Sequence, residues 1–593
     1  MISKKSIFLV LTLFFVGGLN TNYSPNPVNN IKSISLEHSA SVESVDYLII
    51  TTSDFESALE PLAIWKTQRG IVSKIELISD INQQYSGKNG AEKIKNCISD
   101  YHNICNTQWV LLAGDENFVP TQYALCREGY IYDGDVVCCD SYYTDLDNDW
   151  DSNDDYSWGG EGDEYDFEAE VYVGRLSANN ENEMKNLVQR ILNYENNPPV
   201  GPWMSHAIFA GTILQFDIDW NDDNVVDYGE CDGNRVNDYI ETLFPDNWTS
   251  VILAQTEGIK GSDNYSDDQL SYNSLKNNIN QGFSIGNVFA HGSPQGMAID
   301  KWTIDYDGDL LFDYTANPWE EGGTPIDVML RENLIDISFE DIAPEDNKTG
   351  LLYFGSCSTG TFDVDYDCLA EKFLKTAAIG VIAASHVAWG EDQWYERDHG
   401  GWFIEGLGFR LWEQLLQHNH PGKALALAKA DYVSDRNNST EPNDYPKWED
   451  KTLKQYNLLG DPEVPIWLAI PKQLNISILQ PVDDENVITL KVTADGDPVQ
   501  GVTITYNKHN SLFWKGITNE NGTVEVSKSE VNINGKILTA SKIGYLPYQE
   551  TIPPGSTESI PGYVMSITLI LLLSFIGISI VSYNRMKLRK KRI

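Results

Sequence analysis

Short apolar runs alternate with helical patterns over the first third of the chain. Continuous apolar stretches predict buried strands at residues 47–52, 71–77, 109–115 and 170–175. Between them, apolar positions three and four apart predict helices at residues 56–68, 90–102 and 182–194. Because strands alternate with helices, we expect a parallel sheet with helices on both faces. This α/β subdomain is predicted to occupy residues 45–199.

The same alternation continues in a second unit, predicted to span residues 200–470. Its strands are expected at residues 207–212, 285–290, 351–355 and 379–384. Its clearest helices are expected at residues 370–376 and 403–417. The sequence therefore predicts a parallel-sheet region of class α/β built from two subdomains.

Beyond residue 474 the pattern changes to short alternating runs separated by turn pairs. Asp495-Gly496 and Asn521-Gly522 are typical of tight hairpin turns. Strands are expected at residues 488–494, 502–506, 522–526 and 536–541. We therefore predict an Ig-like β-sandwich over residues 474–552.

Both ends of the chain carry membrane-targeting patterns. Lys4 and Lys5 precede an apolar stretch and small residues, which predicts a signal peptide at residues 1–22, with an uncleaved anchor as the alternative. A polar spacer at residues 23–44 follows it. Residues 563–583 lack charges and are long enough to span a bilayer. The basic tail at residues 584–593 is then cytoplasmic, so we expect a single-pass protein of the cell membrane whose main region is extracellular.

The net charge of the chain bears on which molecules it can bind. There are 42 basic and 87 acidic residues among 593, a formal charge of −45, which argues against nucleic-acid binding because a polyanion would be repelled. Carboxylates at alternate positions are what a calcium loop needs, so bound structural Ca²⁺ is a candidate; solvated acidic loops are the alternative. We expect no organic cofactor. The candidate ligands are Asp145, Asp147, Asp149, Asp305, Asp307 and Asp309.

Two predicted strands end at residues capable of nucleophilic chemistry. Asn287-Val-Phe-Ala is followed by His291-Gly-Ser, and Leu351-Leu-Tyr-Phe-Gly-Ser by Cys357-Ser-Thr. Parallel sheets bind ligands beyond the carboxyl ends of their strands, so the thiol and the imidazole are expected side by side as nucleophile and base. The alternative is a buried thiol and an unrelated surface histidine. Among the eight cysteines, Cys97–Cys105 and Cys126–Cys138 are possible disulfides.

With these segments the chain resembles the gingipain family of cysteine peptidases, peptidase family C25, which has a caspase-like α/β fold. The resemblance extends from about residue 47 to residue 466 and into the β-sandwich. It is carried by Trp65-Lys-Thr-Gln-Arg-Gly70, Trp109-Val-Leu-Leu-Ala-Gly-Asp115, Val171-Tyr-Val-Gly-Arg175, Ala290-His-Gly-Ser293, Cys357 and Leu459-Gly-Asp-Pro462.

The resemblance implies roles for individual residues. Cys357 becomes the nucleophile and His291 the general base, with the backbone N–H groups of Gly292 and Cys357 as the oxyanion hole. A nearby imidazolium would lower the thiol pKa and yield a thiolate. The family places an acid after the strand at residues 207–212 to orient the histidine; Asp217 is the candidate here, with Gln215 as the alternative.

The resemblance also implies a substrate pocket. Asp232 is near the place where the family has a carboxylate that selects basic side chains, and Trp389 is the candidate for an aromatic wall. The separation between His291 and Cys357 is long for the family, and we interpret the extra residues as an insertion at the rim of the site.

The function expected from these features is a membrane-anchored extracellular cysteine endopeptidase that cleaves polypeptides through a thioester acyl-enzyme. Two alternatives remain open. One is a non-catalytic surface adhesin on the same fold. The other is a transpeptidase-like enzyme of surface processing, in which an amine captures the acyl group in place of water.

Overall fold

The structure is a computed structural model that describes residues 44–126, 136–219, 225–313, 327–441, 443, 446–479, 486–531 and 536–551. The predicted signal peptide, the spacer up to residue 43, the predicted membrane helix at residues 563–583 and the basic tail lie outside these ranges. Within them, no helix is both long and apolar enough to cross a membrane.

The first segment alternates strands and helices, as its hydrophobic pattern predicts. Its strands are β1 Tyr47–Thr51, β2 Ser73–Leu77, β3 Trp109–Ala113, β4 Gln122–Leu125, β5 Val136–Cys139 and β6 Tyr172–Leu176. Its helices are α1 Glu56–Gln68, α2 Ile78–Gln84, α3 Gly90–Cys105 and α4 Glu181–Asn196. Asn89 and Asn180 cap α3 and α4 by accepting backbone N–H groups of the first turn, which explains where both helices begin.

The second segment contains the remaining strands of the central sheet and a three-stranded ribbon. Its strands are β7 His206–Gly211, β8 Ile213–Gln215, β9 Ile218–Asp219, β10 Cys231–Asp232, β11 Thr249–Ala254, β12 Asp268–Gln269, β13 Ile285–Phe289, β14 His291–Ser293, β15 Gly296–Ile304, β16 Phe312–Asp313, β17 Val328–Asp336, β18 Leu351–Gly355, β19 Gly380–Ala384 and β20 Tyr456–Gly460. Its helices are α5 Gly233–Glu241, α6 Tyr272–Gln281, α7 Leu369–Thr376, α8 Phe403–His418, α9 Pro421–Asn438 and α10 Pro446–Gln455.

In the described part of the chain, eleven strands form one continuous sheet. Their order is β12-β11-β7-β13-β18-β19-β20-β6-β3-β1-β2. Neighbours are parallel except β19 and β20, which are antiparallel. The two predicted subdomains therefore share a single sheet, and β20, from the end of the second unit in sequence, pairs with β6 of the first. One apolar core spans both halves.

A cluster of buried charged side chains connects the first predicted subdomain to the loop that follows β20. Lys66 on α1 lies 2.7 Å from Glu195, 2.7 Å from Asp461 and 2.6 Å from Glu463, and all four side chains are buried. Tyr47 donates a hydrogen bond to Asp461 at 2.8 Å. Because removing one partner would leave a buried charge unpaired, this cluster fixes α1 against the loop that follows β20.

The third segment is a β-sandwich. It contains β21 Lys472–Gln473, β22 Asn475–Leu479, β23 Val487–Ala494, β24 Asp497–Pro498, β25 Thr503–Lys508, β26 Ser511–Ile517, β27 Thr523–Ser527, α11 Lys528–Val531, β28 Ile537–Ser541, β29 Tyr545–Leu546 and β30 Tyr548–Thr551. Within the described residues, β22, β23, β24 and β27 form one antiparallel sheet and β25, β26, β28 and β30 another, around a shared apolar core. The predicted sandwich is thus present, while its Ig-like character stays a prediction.

The sandwich docks on the end of α1 through polar contacts. Lys515 donates to the Gly70 carbonyl at 2.7 Å, Asn507 to the Thr67 carbonyl at 3.1 Å, and Asn510 to the Ser73 carbonyl at 3.0 Å. Gly70 has a φ of +88°, and a methyl group there would come within 2.9 Å of Thr503. Glycine is therefore required both for the turn and for the close approach of the sandwich.

Candidate active site

The thiol and the imidazole lie at adjacent strand ends. Strands β13 and β18 are parallel neighbours, and their last paired residues are Phe289 and Gly355. His291 and Cys357 each follow two residues later, so the register of the sheet brings them to the same edge. Since both strands are entirely buried, the sheet fixes the position of both residues.

Gly292 packs directly against the backbone of the cysteine. A methyl group at this position would lie 2.3 Å from the Cys357 carbonyl oxygen and 3.0 Å from its backbone nitrogen. Only glycine allows this approach without displacement. The backbone of residue 292 therefore lies close to the backbone N–H of Cys357.

A cavity of about 210 Å³ opens beside the two residues. Trp389 forms one wall and stacks on Trp448, with ring centroids 4.5 Å apart and planes 12° apart. Its indole nitrogen is buried and has no hydrogen-bond partner among the described residues. The complete lining comprises Leu214, Gln215, Cys231, Ala290, His291, Gly355, Ser356, Cys357, Val387, Ala388, Trp389, Gly390, Glu391 and Ile404.

The environment of Cys357 favours the protonated thiol. Its Sγ donates a hydrogen bond to the Ala388 carbonyl at 3.1 Å. Burial raises the pKa of the thiol above its ordinary value, although the positive charge of Lys451 opposes this change. The resting thiol is therefore protonated at neutral pH.

His291 faces a carboxylate that the sequence did not single out. Its Nε2 lies 3.4 Å from Asp300 Oδ2, and its side chain keeps 29% exposure, toward the cavity. Burial lowers the pKa of His291 from 6.5, with a smaller raising effect from Asp300 and a lowering effect from Arg331. The imidazole is therefore neutral at neutral pH, which differs from the thiolate–imidazolium pair implied by the family resemblance.

The prediction that Asp217 orients the histidine does not agree with the structure. The carboxylate of Asp217 accepts from Lys260 at 2.5 Å and from the Glu230 N–H at 2.9 Å. Gln215, the alternative, lines the cavity but donates to the Gly229 carbonyl at 2.8 Å. In the described part of the chain, the carboxylate that contacts His291 is that of Asp300, on β15.

The predicted selectivity residue Asp232 also lies elsewhere. It is buried at the start of α5, where it accepts from the Asn234 N–H at 2.8 Å and from Ser262 at 2.7 Å. This carboxylate caps a helix and does not line the cavity. Asp232 therefore does not lie where it could select a basic substrate side chain. Trp389 does line the cavity, as expected.

Two other carboxyl groups lie near this cavity, and neither presents a free negative charge. Glu391 is ion-paired with Arg397. Glu405, on α8, accepts from Cys231 Sγ at 3.4 Å and from the Glu391 N–H at 3.2 Å. Burial raises the pKa of Glu405 to about 8, so it is protonated at neutral pH.

The acidic segments divide into two local groups. Asp305, Asp307 and Asp309 have carboxylate oxygens within 4.8 Å of one another, as do Asp145 and Asp147 together with Glu170. In the second group, Asp145 already accepts from the Trp150 indole at 2.8 Å and from the Asn148 N–H at 3.1 Å.

Asp149 lies outside both groups and accepts from the Asp151 N–H at 3.1 Å. The carboxylates of the loop at residues 305–309 are also engaged, since Asp305 accepts from the Gly308 N–H at 2.7 Å and Asp309 from the Leu311 N–H at 2.8 Å.

The eight cysteines all lie within the described ranges, and no two of them form a disulfide. Cys97 and Cys105 are both on α3, eight positions apart, which separates them by about 12 Å along the helix axis and is too far for a disulfide. In the β4–β5 hairpin, Cys138 pairs with Tyr123, so Cys126 is three positions out of register with it. Neither expected disulfide forms.

The protein has an α/β fold whose mostly parallel sheet carries a thiol and an imidazole at adjacent strand ends beside one cavity, an arrangement typical of cysteine peptidases. The chain belongs to peptidase family C25, whose sequence pattern matches residues 40–467. This confirms the resemblance drawn from the motifs.

Known relatives agree with this assignment. Gingipain R1 of Porphyromonas gingivalis is 19% identical over 508 residues, which cover 84% of this chain and 41% of that protein. Lys-gingipain HG66 of the same organism is 20% identical over 532 residues, covering 86% of this chain and 26% of that protein. The chain thus spans about two-fifths of the length of gingipain R1.

The crystal structure of the Arg-specific cysteine proteinase gingipain R superposes with a TM-score of 0.58 at 15% identity, covering 87% of this chain and 99% of that chain. A complex of the pro- and mature domains of a Porphyromonas gingivalis gingipain gives 0.56 at 14% identity, covering 86% and 99%. These similarities confirm the predicted caspase-like α/β core.

Proposed function

We propose that this chain is a cysteine endopeptidase with Cys357 as nucleophile and His291 as general base. The observation that carries the proposal is the placement of both residues at adjacent strand ends beside one cavity. Polypeptides are the proposed substrates. Trp389, fixed by its stacking on Trp448, would form the wall against which a substrate side chain packs.

The proposed reaction has two steps. His291 takes the proton of the Cys357 thiol as the sulfur attacks the scissile carbonyl carbon. The oxyanion that forms is stabilised by the N–H groups of Gly292 and Cys357, and collapse returns the proton to the departing amine and leaves a thioester. A water molecule, deprotonated by His291, then attacks the thioester and releases the carboxylic acid and the free thiol.

Because thiol and imidazole are both neutral at rest, the pH dependence should follow the histidine. We expect kcat/KM to be flat between pH 7 and pH 8 and to fall in acid with a midpoint below 6.5, since protonated His291 cannot accept the thiol proton. A kcat/KM profile from pH 4 to pH 9 measures this. A rate that climbs steadily to pH 9 would instead indicate that a preformed thiolate is required.

The proposed location is the outer side of the cell membrane. Its support is the sequence alone: the apolar segment after Lys4 and Lys5, and the uncharged stretch at residues 563–583 followed by basic residues. Protease accessibility of the main region on intact cells, with retention in the membrane fraction, tests this placement.

Structural Ca²⁺ at Asp305, Asp307 and Asp309 is part of the proposal. Local desolvation, and to a smaller extent the like charges of Asp309 and Asp305, raise the pKa of Asp307, and a cation would remove the repulsion. At a hundredfold excess over Kd, the ion would stabilise the fold by about 2.7 kcal/mol. Chelation should then lower the melting temperature of the wild type but not of Asp307→Asn. An equal decrease of the melting temperature in both proteins would place the ion elsewhere. Asp147→Asn is the control, and its melting temperature should fall on chelation as that of the wild type does.

Peptide-library cleavage by the full chain tests the function itself. Hydrolysis is expected, with new carboxyl termini as products. If added amines are incorporated in preference to water, the transpeptidase alternative is correct. If peptides are bound but neither cleaved nor transferred, the adhesin alternative is correct.

A further inference from the structure

A three-stranded ribbon places two charged residues behind His291. Strand β14 begins at His291 and pairs with β15, and β15 pairs in turn with β17. Ala298 lies opposite His291, and Asp300 follows two positions later on the same face of β15. Arg331 on β17 lies directly opposite Asp300. The ribbon therefore brings both charges toward the imidazole.

The distances define a chain of contacts that ends on the imidazole. Arg331 binds the Asp300 carboxylate through two hydrogen bonds, Nε to Oδ1 at 2.7 Å and Nη2 to Oδ2 at 2.6 Å. Asp300 Oδ2 lies 3.4 Å from His291 Nε2. The carboxylate is 5% exposed, whereas the arginine side chain is 64% exposed. Asp300 is thus held in a fixed orientation by a partner that reaches it from solvent.

We propose that Asp300 and Arg331 act as a positioning pair for His291. The negative charge of Asp300, 3.4 Å from Nε2, favours the tautomer that carries its proton on Nε2, which leaves Nδ1 to accept the Cys357 proton. Arg331 fixes the carboxylate and shares its negative charge, which limits how strongly Asp300 can stabilise the imidazolium. The role in catalysis rests on the proposed peptidase function, whereas the effect on the imidazole does not.

The other charged and titratable groups around the site come from separate elements. Cys357 follows β18, and Lys451 on α10 acts on that thiol. Glu391, in the loop between β19 and α8, lines the cavity but is paired with Arg397. Glu405 at the start of α8 is protonated at neutral pH. Among the described residues, Asp300 is the acid whose carboxylate contacts the imidazole of His291, at 3.4 Å.

Replacing the two members of the pair should shift the pKa of His291 in opposite directions. Asp300→Asn removes the charge that stabilises the imidazolium, so the pKa of His291 falls. Arg331→Gln removes the competing cation, so the same pKa rises. Each change is expected to move the titration by about one pH unit, the lower end of the range of about one to three for a charge within about 4–6 Å, because Arg331 offsets part of the Asp300 charge. A purely structural role would not produce opposite signs.

Lys301 provides a matched control on the same ribbon. It neighbours Asp300 in sequence and points to the other face, where it contacts Glu257 at 2.5 Å and Glu332 at 2.7 Å. Lys301→Gln removes one positive charge from the ribbon without touching the pair. It should leave the titration of His291 unchanged.

The test is an NMR titration of the full chain labelled with ¹³C at histidine Cε1, with the His291 signal assigned by its loss in His291→Gln. Opposite shifts in Asp300→Asn and Arg331→Gln, with none in Lys301→Gln, support the proposal. Shifts of the same sign, or none, overturn it. Melting temperatures of all variants show whether each is folded, and Arg331→Gln, which keeps the buried carboxylate, gives an answer even if Asp300→Asn unfolds.

Kinetics on the same variants test the catalytic part of the proposal. Asp300→Asn should lower kcat by about tenfold or more with little change in KM, less than when a directly hydrogen-bonded aspartate is lost. In each variant, the pH at which kcat/KM falls to half in acid should shift in the same direction as the pKa of His291 measured by NMR. If the wild type hydrolyses no peptide while the opposite NMR shifts persist, the proposed function fails and the effect of the pair on the imidazole stands.

Discussion

Replacing Cys357 with alanine is expected to abolish peptide hydrolysis and leave the fold intact. Loss of a nucleophile that acts together with its base removes nearly all catalysis, so kcat should fall by at least about four orders of magnitude. Among the described residues, the Sγ atom makes one hydrogen bond, to Ala388, so the free energy of unfolding should change by no more than about 2 kcal/mol. Peptide hydrolysis and thermal unfolding of the purified full chain measure the two effects.

Cys105→Ser is the matched control for that variant. Of the eight cysteines, Cys105 and Cys357 are the two that are partly exposed, whereas the other six are buried. Cys105 is at the end of α3, on the far half of the sheet from the cavity. Full activity in Cys105→Ser and none in Cys357→Ala is the expected pair of results. Equal activity in both would remove Cys357 from the mechanism.

A single methyl group at Gly292 should have the second largest effect. In Gly292→Ala the added carbon would meet the Cys357 carbonyl oxygen at 2.3 Å, so the ribbon and the loop carrying the thiol must separate. This displaces the backbone donors proposed for the oxyanion, and loss of one such donor costs about 10²–10³ in kcat. We therefore expect a decrease of that size or larger in kcat/KM, measured on the best library peptide.

Gly201→Ala is the control for the glycine variant. A methyl group there would lie 3.5 Å from Trp203, an ordinary contact, and residue 201 has extended backbone that any residue adopts. It should leave activity unchanged. Near-normal kcat/KM in Gly292→Ala, with melting also unchanged, would mean that residue 292 does not lie beside the reacting carbonyl.

The sheet could be read from the sequence where hydrophobic periodicity was strong. The pattern gave α1 at Glu56–Gln68 and β18 at Leu351–Gly355 with the observed bounds. Helix α9 is not evident from the pattern because its buried residues include small and polar side chains, such as Ala424, Ala428 and Lys429, which give little contrast with the polar face. The antiparallel join of β19 to β20 could not be foreseen either, because it depends on a contact between distant segments and not on local pattern.

The part of the site that lies at the ends of parallel strands could be predicted from the sequence. His291 and Cys357 were placed correctly because parallel strands deliver their ends to one edge. Asp300 and Arg331 were not foreseen, since their position depends on the register of a ribbon that folds back from His291. The turn at Ser293-Pro-Gln-Gly296 was a usable signal for that hairpin. The resemblance alone suggested Asp232 as a pocket residue, and it does not distinguish a pocket carboxylate from one that caps the adjoining helix.

Covalent labelling of the full chain by a peptidyl thiol-reactive probe, followed by peptide mapping, tests the central claim most directly. Cys357, activated by His291, should be labelled selectively over the other seven cysteines, and His291→Ala should suppress the labelling. Competition by an excess of cleavable peptide should also protect Cys357. Labelling that is spread over several cysteines, or that persists unchanged in His291→Ala, would contradict a Cys357–His291 catalytic pair.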